Sequence, residues 1–223
     1  AVSCVTVAFC SNLLMIRDKT SGARRDLTVS PVRPGVIGLG YYLATLCSTL
    51  IVTLAAAAVC LGYLALVGWY LSAADAAKLL LDVFLLTMFG TALSSVVNCL
   101  LSTDGQASAV GTIVSAGYGF LCGAYMPLSS FSEGLRKVLG FLPGTYGTSL
   151  LHNHTLRGVF AKMRSIGFPA EVVELIRDSV DCNLYFFGKS VSVGAMYAVM
   201  AGSVLLLIAV YVVENVVQAK RKK

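Results

Sequence analysis

The sequence predicts an all-α integral membrane protein, a polytopic helical bundle with about five transmembrane helices and short amphipathic helices at the outer surface. Composition, charge spacing and the character of the apolar runs predict it. The 223 residues are 57% hydrophobic and 13% charged, with mean hydropathy +0.81. A soluble domain is about a quarter charged, and disordered chains are poor in apolar residues. No charge precedes Arg17, and charge-free gaps of 41, 21, 28 and 24 residues follow Arg33, Asp82, Asp104 and Lys189. A helix crosses a bilayer in roughly 20 apolar residues, whereas a barrel strand takes about 10 of alternating polarity. The run Val204-Leu205-Leu206-Leu207-Ile208 does not alternate.

The predicted spans are residues 1–16, 42–69, 79–101, 107–126 and 191–213. Tyr41, Tyr42, Trp69 and Tyr70 bracket the second span, and Tyr185, Phe186 and Phe187 precede the last, as interfacial aromatics do. Basic residues set the orientation. Loop 17–34 holds Arg17, Lys19, Arg24, Arg25 and Arg33, and the tail ends in Lys220, Arg221, Lys222 and Lys223, against Lys78 alone on the short loops of the other side. Short loops rich in Lys and Arg stay cytoplasmic, so the loop and the tail are expected inside. The organisation is one transmembrane domain over 1–223, with a cytoplasmic loop 17–34, an extracytoplasmic segment 127–189 and a basic tail 214–223. Residue 1 then falls outside. A first span of 16 residues, with an initial Ala and no basic flank, is expected to be part of an N-terminally incomplete chain rather than a signal peptide. The net charge of +6 comes largely from the loop and the tail. It points to orientation and anionic lipid rather than to nucleic acid.

Enzymatic and metal chemistry find little support. Six of seven cysteines fall in apolar spans, where they act as small hydrophobes, and no C-x-x-C pair occurs. His152 and His154 are two apart and would not share a helical face. They are expected in a polar turn, with a zinc site including Glu171 and Glu174 as the alternative. Phe187-Gly188-Lys189-Ser190 imitates the end of a P-loop, but the required first glycine is Asn183. No metal, cofactor or nucleotide site is therefore expected in this chain. Asp82 is expected near the outer end of its span, with Lys78 four residues earlier, either as a headgroup-level pair or with both side chains snorkelling. No span holds an ionisable residue near its centre, which argues against a proton relay.

Small residues recur every four positions in Gly111/Ser115/Gly119/Gly123, in Ser190/Gly194/Ala198/Gly202 and in Gly90/Ser94/Asn98/Ser102. Such rows let helices approach closely in lipid, within a bundle or at a subunit interface.

The inner loop alternates charge around Gly22 and Leu27, and Pro31 and Pro34 disfavour a long helix. In the outer segment Ser130 and Glu133 are spaced as a capping box. Phe131, Leu135, Val138, Leu139 and Leu142 then form one apolar helical face, which Pro143 and Gly144 are expected to end. Residues 169–180 are expected to form another short helix.

Three stretches together resemble the permease subunit of type-2 ATP-binding-cassette (ABC) exporters. They are the charged loop Arg17-Asp18-Lys19…Gly22…Arg24-Arg25-Asp26-Leu27…Ser30-Pro31, the Gly-to-Pro exit Gly123-Ala124-Tyr125-Met126-Pro127, and the Pro-x-Thr-Tyr turn Pro143-Gly144-Thr145-Tyr146. The order matches helices two to six of that family's six. The return from residue 151 to 189 is longer than in minimal members. The resemblance implies a multi-pass bacterial plasma-membrane exporter half, of multidrug or other efflux type, paired with a second permease subunit as homodimer or heterodimer. A separate cytoplasmic ATPase would bind ATP and Mg. Arg17, Asp18, Lys19, Gly22, Arg24, Arg25, Asp26, Leu27 and Pro31 would form the coupling loop. Gly111, Ser115, Gly119 and Gly123 would pack helices or subunits, and Pro127, Pro143 and Tyr146 would form the outer turns. The alternatives are a channel or scaffold without an ATPase and, behind it, a membrane enzyme using His152 and His154.

Overall fold

A computed structural model describes residues 1–23 and 32–221. The described residues are almost wholly helical: α1 (Val2–Ser11), α2 (Leu13–Thr20), α3 (Pro34–Val67), α4 (Ala73–Leu100), α5 (Asp104–Leu121), α6 (Glu133–Leu139), α7 (Pro143–Ser165), α8 (Ala170–Ser179) and α9 (Val193–Arg221). A two-residue hairpin pairs Tyr185–Phe186 (β1) with Lys189–Ser190 (β2).

Among the described residues, three helices are long and apolar enough to cross a membrane: Pro34–Val67, Ala73–Leu100 and Val193–Gln218. These correspond to the second, third and fifth predicted spans, the second and third beginning earlier and the fifth running on further than expected. The first predicted span is interrupted at Asn12, giving helices of 10 and 8 residues. The fourth is an 18-residue helix rich in Gly, Ser and Ala. Enclosure differs sharply. Of the most apolar stretch of α3 only 6% is buried, against 56% in α4. Ile51, Val59 and Leu66 on α3 therefore face outward, toward lipid or another protein.

The chain divides into two compact units, one of residues 2–53, 87–116 and 202–223 and the other of residues 1, 54–86 and 117–201. The core of the first is built from Met15, Tyr42, Leu46, Ala92, Cys99 and Tyr211. The break at Asn12 has a cause. Its side-chain amide donates to the Ser94 and Ser95 hydroxyls at 3.1 and 3.0 Å, so a buried polar side chain pins α1–α2 to α4. At Gly90 a Cβ would lie 3.0 Å from the Cys4 carbonyl oxygen. The Gly90/Ser94/Asn98 row is thus the face on which α4 receives α1, the helix-packing use of small residues.

In the other unit the segment after residue 126 departs from several sequence expectations. Ser130 and Glu133 form no capping box. Ser130 closes a 3-10 turn, Phe131 is extended, and Ser132 is the N-cap of α6 without a side-chain cap bond. Of the predicted apolar face only Leu139 is buried, while Leu135 and Val138 are exposed. Pro143 does not end a helix but opens one. It stands in the first turn of the 23-residue α7, where proline's missing N–H costs nothing. His152, Asn153 and His154 therefore lie inside a helix, not in a polar turn. The expected short helix at 169–180 is present as α8, with Val173 and Ile176 packed on Phe160, Leu156 and Met163 of α7. The P-loop look-alike is the hairpin turn, with positive φ at Phe187 (48°) and Gly188 (80°), as a two-residue hairpin turn requires.

Candidate functional site

Two clusters, one in each unit, hold the side chains with chemistry. The first is the base of the charged loop. Lys19 extends its ammonium to the carbonyl oxygens of Asn98, Cys99 and Leu101 at 3.1, 2.7 and 3.0 Å. Asn98 and Cys99 stand in the last turn of α4 and Leu101 just beyond it, where helix carbonyls run short of intrahelical donors and carry the negative end of the helix dipole. An ammonium has three N–H donors, and all three are used. Gln218 of α9 donates to the Cys99 carbonyl at 2.9 Å. Asp18 accepts from the Tyr41 hydroxyl at 2.7 Å, tying α2 to α3. Arg17 is exposed, and Gly22 takes φ +86 with nothing within 4 Å among the described residues. Arg24, Arg25, Asp26, Leu27 and Pro31 lie outside the described residues. Lys19→Met is expected to destabilise the protein by about 1–3 kcal/mol, the scale of lost charged hydrogen bonds. Lys19→Arg should restore most of it. Thermal unfolding of the three proteins in one detergent checks this.

The second cluster was not foreseen. Asp82 of α4 is buried and accepts from His154 Nδ1 of α7 at 2.5 Å and from the Tyr197 hydroxyl of α9. The two rings stack with centroids 6.2 Å apart. The expected partner, Lys78, is not in this pair. The carboxylate faces into the unit, where burial makes a partnered acid far cheaper than an unpartnered one. Three residues further along α7, Arg157 pairs at 3.1 Å with Asp75, which is also buried. The approaches Gly147–Leu86, His154–Asp82, Arg157–Asp75 and Gly158–Tyr70 run upward on α7 and downward through α4 and its preceding turn. So α7 lies antiparallel against the first half of α4, clamped by two acid pairs.

The outer turns gain physical roles. The Thr145 hydroxyl donates to the Leu139 carbonyl at 3.0 Å and the Tyr146 hydroxyl to the Gly140 carbonyl at 2.6 Å. The Pro143-x-Thr145-Tyr146 stretch thus fastens to the end of α6 and to its C-cap, Gly140, while Pro143 starts α7. Pro127 precedes Leu128, whose N–H donates to the Asp181 carboxylate at 2.7 Å. Burial raises the Asp181 pKa above the ordinary carboxylate value, against that hydrogen bond. His152 lies against the Val180 carbonyl at 2.8 Å. The carbonyl can only accept, so Nδ1 carries the proton, and burial lowers the pKa of this imidazole. The two histidines are committed to separate partners, and no three His, Cys, Asp or Glu side chains among the described residues are grouped to hold a metal.

The row Gly111/Ser115/Gly119/Gly123 does not run as one ridge. Helix α5 stops at Leu121, and Gly123 takes φ +76 in the turn that follows. There the Ala124 and Tyr125 N–H groups return to the Gly119 carbonyl, and the Tyr125 ring covers Gly119. Gly111 faces Phe9 of α1. By contrast, Gly194 and Gly202 of α9 meet nothing within 4 Å.

The family model for the ABC-2 type transporter matches residues 1–154, from α1 into α7. The chain belongs to the ABC-2 type transporter family. It is therefore a transport permease, a multi-pass membrane component of an ABC transporter. No curated protein and no solved structure matches the chain. The ABC-2 match covers the Lys19 anchor, Asp82 and His154 together, while Tyr197 comes from beyond it.

Proposed function

We propose that this ABC-2 permease is one half of an exporter in the bacterial plasma membrane, driven by ATP hydrolysed in a separate cytoplasmic ATPase subunit. A second permease subunit completes the pathway, and the weakly buried α3 offers an apolar face to it or to lipid. The positive-inside asymmetry supports a cytoplasmic loop 17–34 and a cytoplasmic C-terminus. The observation that carries the reading is the anchoring of that loop. Asp18 and Lys19, at its entrance, are fastened to α3 and to the end of α4. A force applied to the charged loop would reach two transmembrane helices through short, directional bonds rather than dissipate in a slack linker. Arg24, Arg25 and Asp26 would make the charged contacts with the ATPase and Leu27 an apolar one. ATP and Mg would sit in that partner.

The double variant Arg24→Glu/Arg25→Glu tests this reading. Charge reversal at a close pair costs several kcal/mol. Co-isolation of the ATPase is expected to fall at least tenfold (about 1.4 kcal/mol or more), or transport to stop while ATP is still hydrolysed. Unchanged assembly with unchanged transport would refute the coupling role.

A further inference from the structure

We propose that a cavity at the junction of α4, α7 and α8 binds a phosphate ester. The cavity holds about 430 Å³, within the range of ligand sites. Four cations from three helices line it: Lys78, Arg157, Arg164 and Arg177. No carboxylate lines it. The nearby acids are turned away or already used. Asp75 pairs with Arg157, Glu174 with Arg164 at 2.9 Å and Arg177 at 3.3 Å, and Asp82, an electrostatic neighbour of Lys78, is bonded to His154 and Tyr197.

Donor capacity is left over. Lys78 has no ion pair or hydrogen bond among the described residues, and the Arg177 Nε is buried without an acceptor. A buried donor left unpaired costs about 1–3 kcal/mol, which an anion seated in the cavity would recover. The Arg177 guanidinium is held in place for this. It sits 5.9 Å from the centre of the Phe160 ring and donates to Asn153 Oδ1 at 3.4 Å. Four cations against the two carboxylates that pair with them leave an excess of positive charge, which an anion would neutralise. A tetrahedral group with several charged oxygens suits donors arriving from three helices better than a planar carboxylate does. The volume exceeds a bare ion, and Phe160 and Val193 add apolar wall, so the phosphate is expected to carry an organic substituent. Its source is a lipid headgroup or a free phosphate ester.

The test uses the full chain, isolated with whatever subunits accompany it. Binding is measured for phosphatidylglycerol by native mass spectrometry and for glycerol phosphate by calorimetry. Lys78→Gln/Arg164→Gln should weaken binding by about tenfold or more, the scale of one or two charged hydrogen bonds. Lys78→Arg should retain it, and Lys137→Gln on α6, the loss of one positive charge away from the cavity, should not matter. Arg157 is left intact so that Asp75 keeps its partner. Loss for phosphatidylglycerol alone identifies a lipid headgroup, and loss for glycerol phosphate alone a free ester. Loss for both identifies the phosphate group itself. Equal affinities in the double variant and the parent, with both proteins melting alike, would overturn the site. So would an equal loss in Lys137→Gln.

Discussion

Asp82→Ala is expected to destabilise the permease by about 2–6 kcal/mol, from about 1–3 kcal/mol for each of the two hydrogen-bonding groups it strands. The substitution strands the His154 imidazole and the Tyr197 hydroxyl, which lose their shared acceptor. His154→Ala should cost a similar amount, because it leaves the buried Asp82 with one donor instead of two. The telling variant is the double one. If the loss comes from stranded partners, removing both members leaves fewer unsatisfied groups, and the combined cost falls well short of the sum. Thermal unfolding in detergent of the parent, both single variants and the double variant gives the coupling energy. Strict additivity would mean that the acid and the imidazole do not act as a pair.

Gly158→Ala is expected to be more damaging than any other glycine-to-alanine change in the chain. A Cβ there would collide with the Tyr70 carbonyl oxygen and lie 2.7 Å from its carbonyl carbon. Those are backbone atoms, so no rotamer change relieves the clash, and α7 must move away from the turn between α3 and α4. Overpacking commonly costs about 1–3 kcal/mol, and a backbone collision belongs at or above the top of that range. The displacement would also lengthen the Arg157–Asp75 and His154–Asp82 contacts, which lie on the adjacent turns of α7. Gly134→Ala on α6 is the control. It meets nothing within 4 Å and should be neutral or slightly stabilising, because alanine favours helix. Yield of folded protein and melting temperature separate the two variants.

How far the sequence was legible follows from the range of each signal. The long apolar runs announced α3, α4 and α9 because crossing a bilayer imposes its length on the sequence. The charged loop, the Gly-to-Pro exit and the Pro-x-Thr-Tyr turn announced the family because each is local. Helix α7 was missed for local reasons too. Pro143-Gly144 reads as a stop, and only the observed turn shows proline in its other role at a helix start. His152-Asn153-His154 then looked like a turn because polar residues without a visible partner suggest solvent. Their partners are far along the chain: Asp82 is 72 residues from His154, and Tyr197 is 115 residues from Asp82. No periodicity links such positions. The same gap misassigned Asp82 to Lys78, its nearest cation in sequence. One available clue was the pairing of two acids in α4, Asp75 and Asp82, with two basic side chains three apart in a segment otherwise poor in charge. Lys19 was legible as a loop cation, but its use at the end of α4 needed the fold.

The most direct measurement is isolation of the tagged chain from its native membrane, followed by identification of co-isolated proteins and assay of ATP hydrolysis. A P-loop ATPase subunit in fixed ratio to the permease is expected, with ATP hydrolysis in the isolated complex and loss of that subunit or of coupled transport in Arg24→Glu/Arg25→Glu. An intact, folded permease that carries no ATPase and passes solute through vesicles without ATP would contradict that expectation.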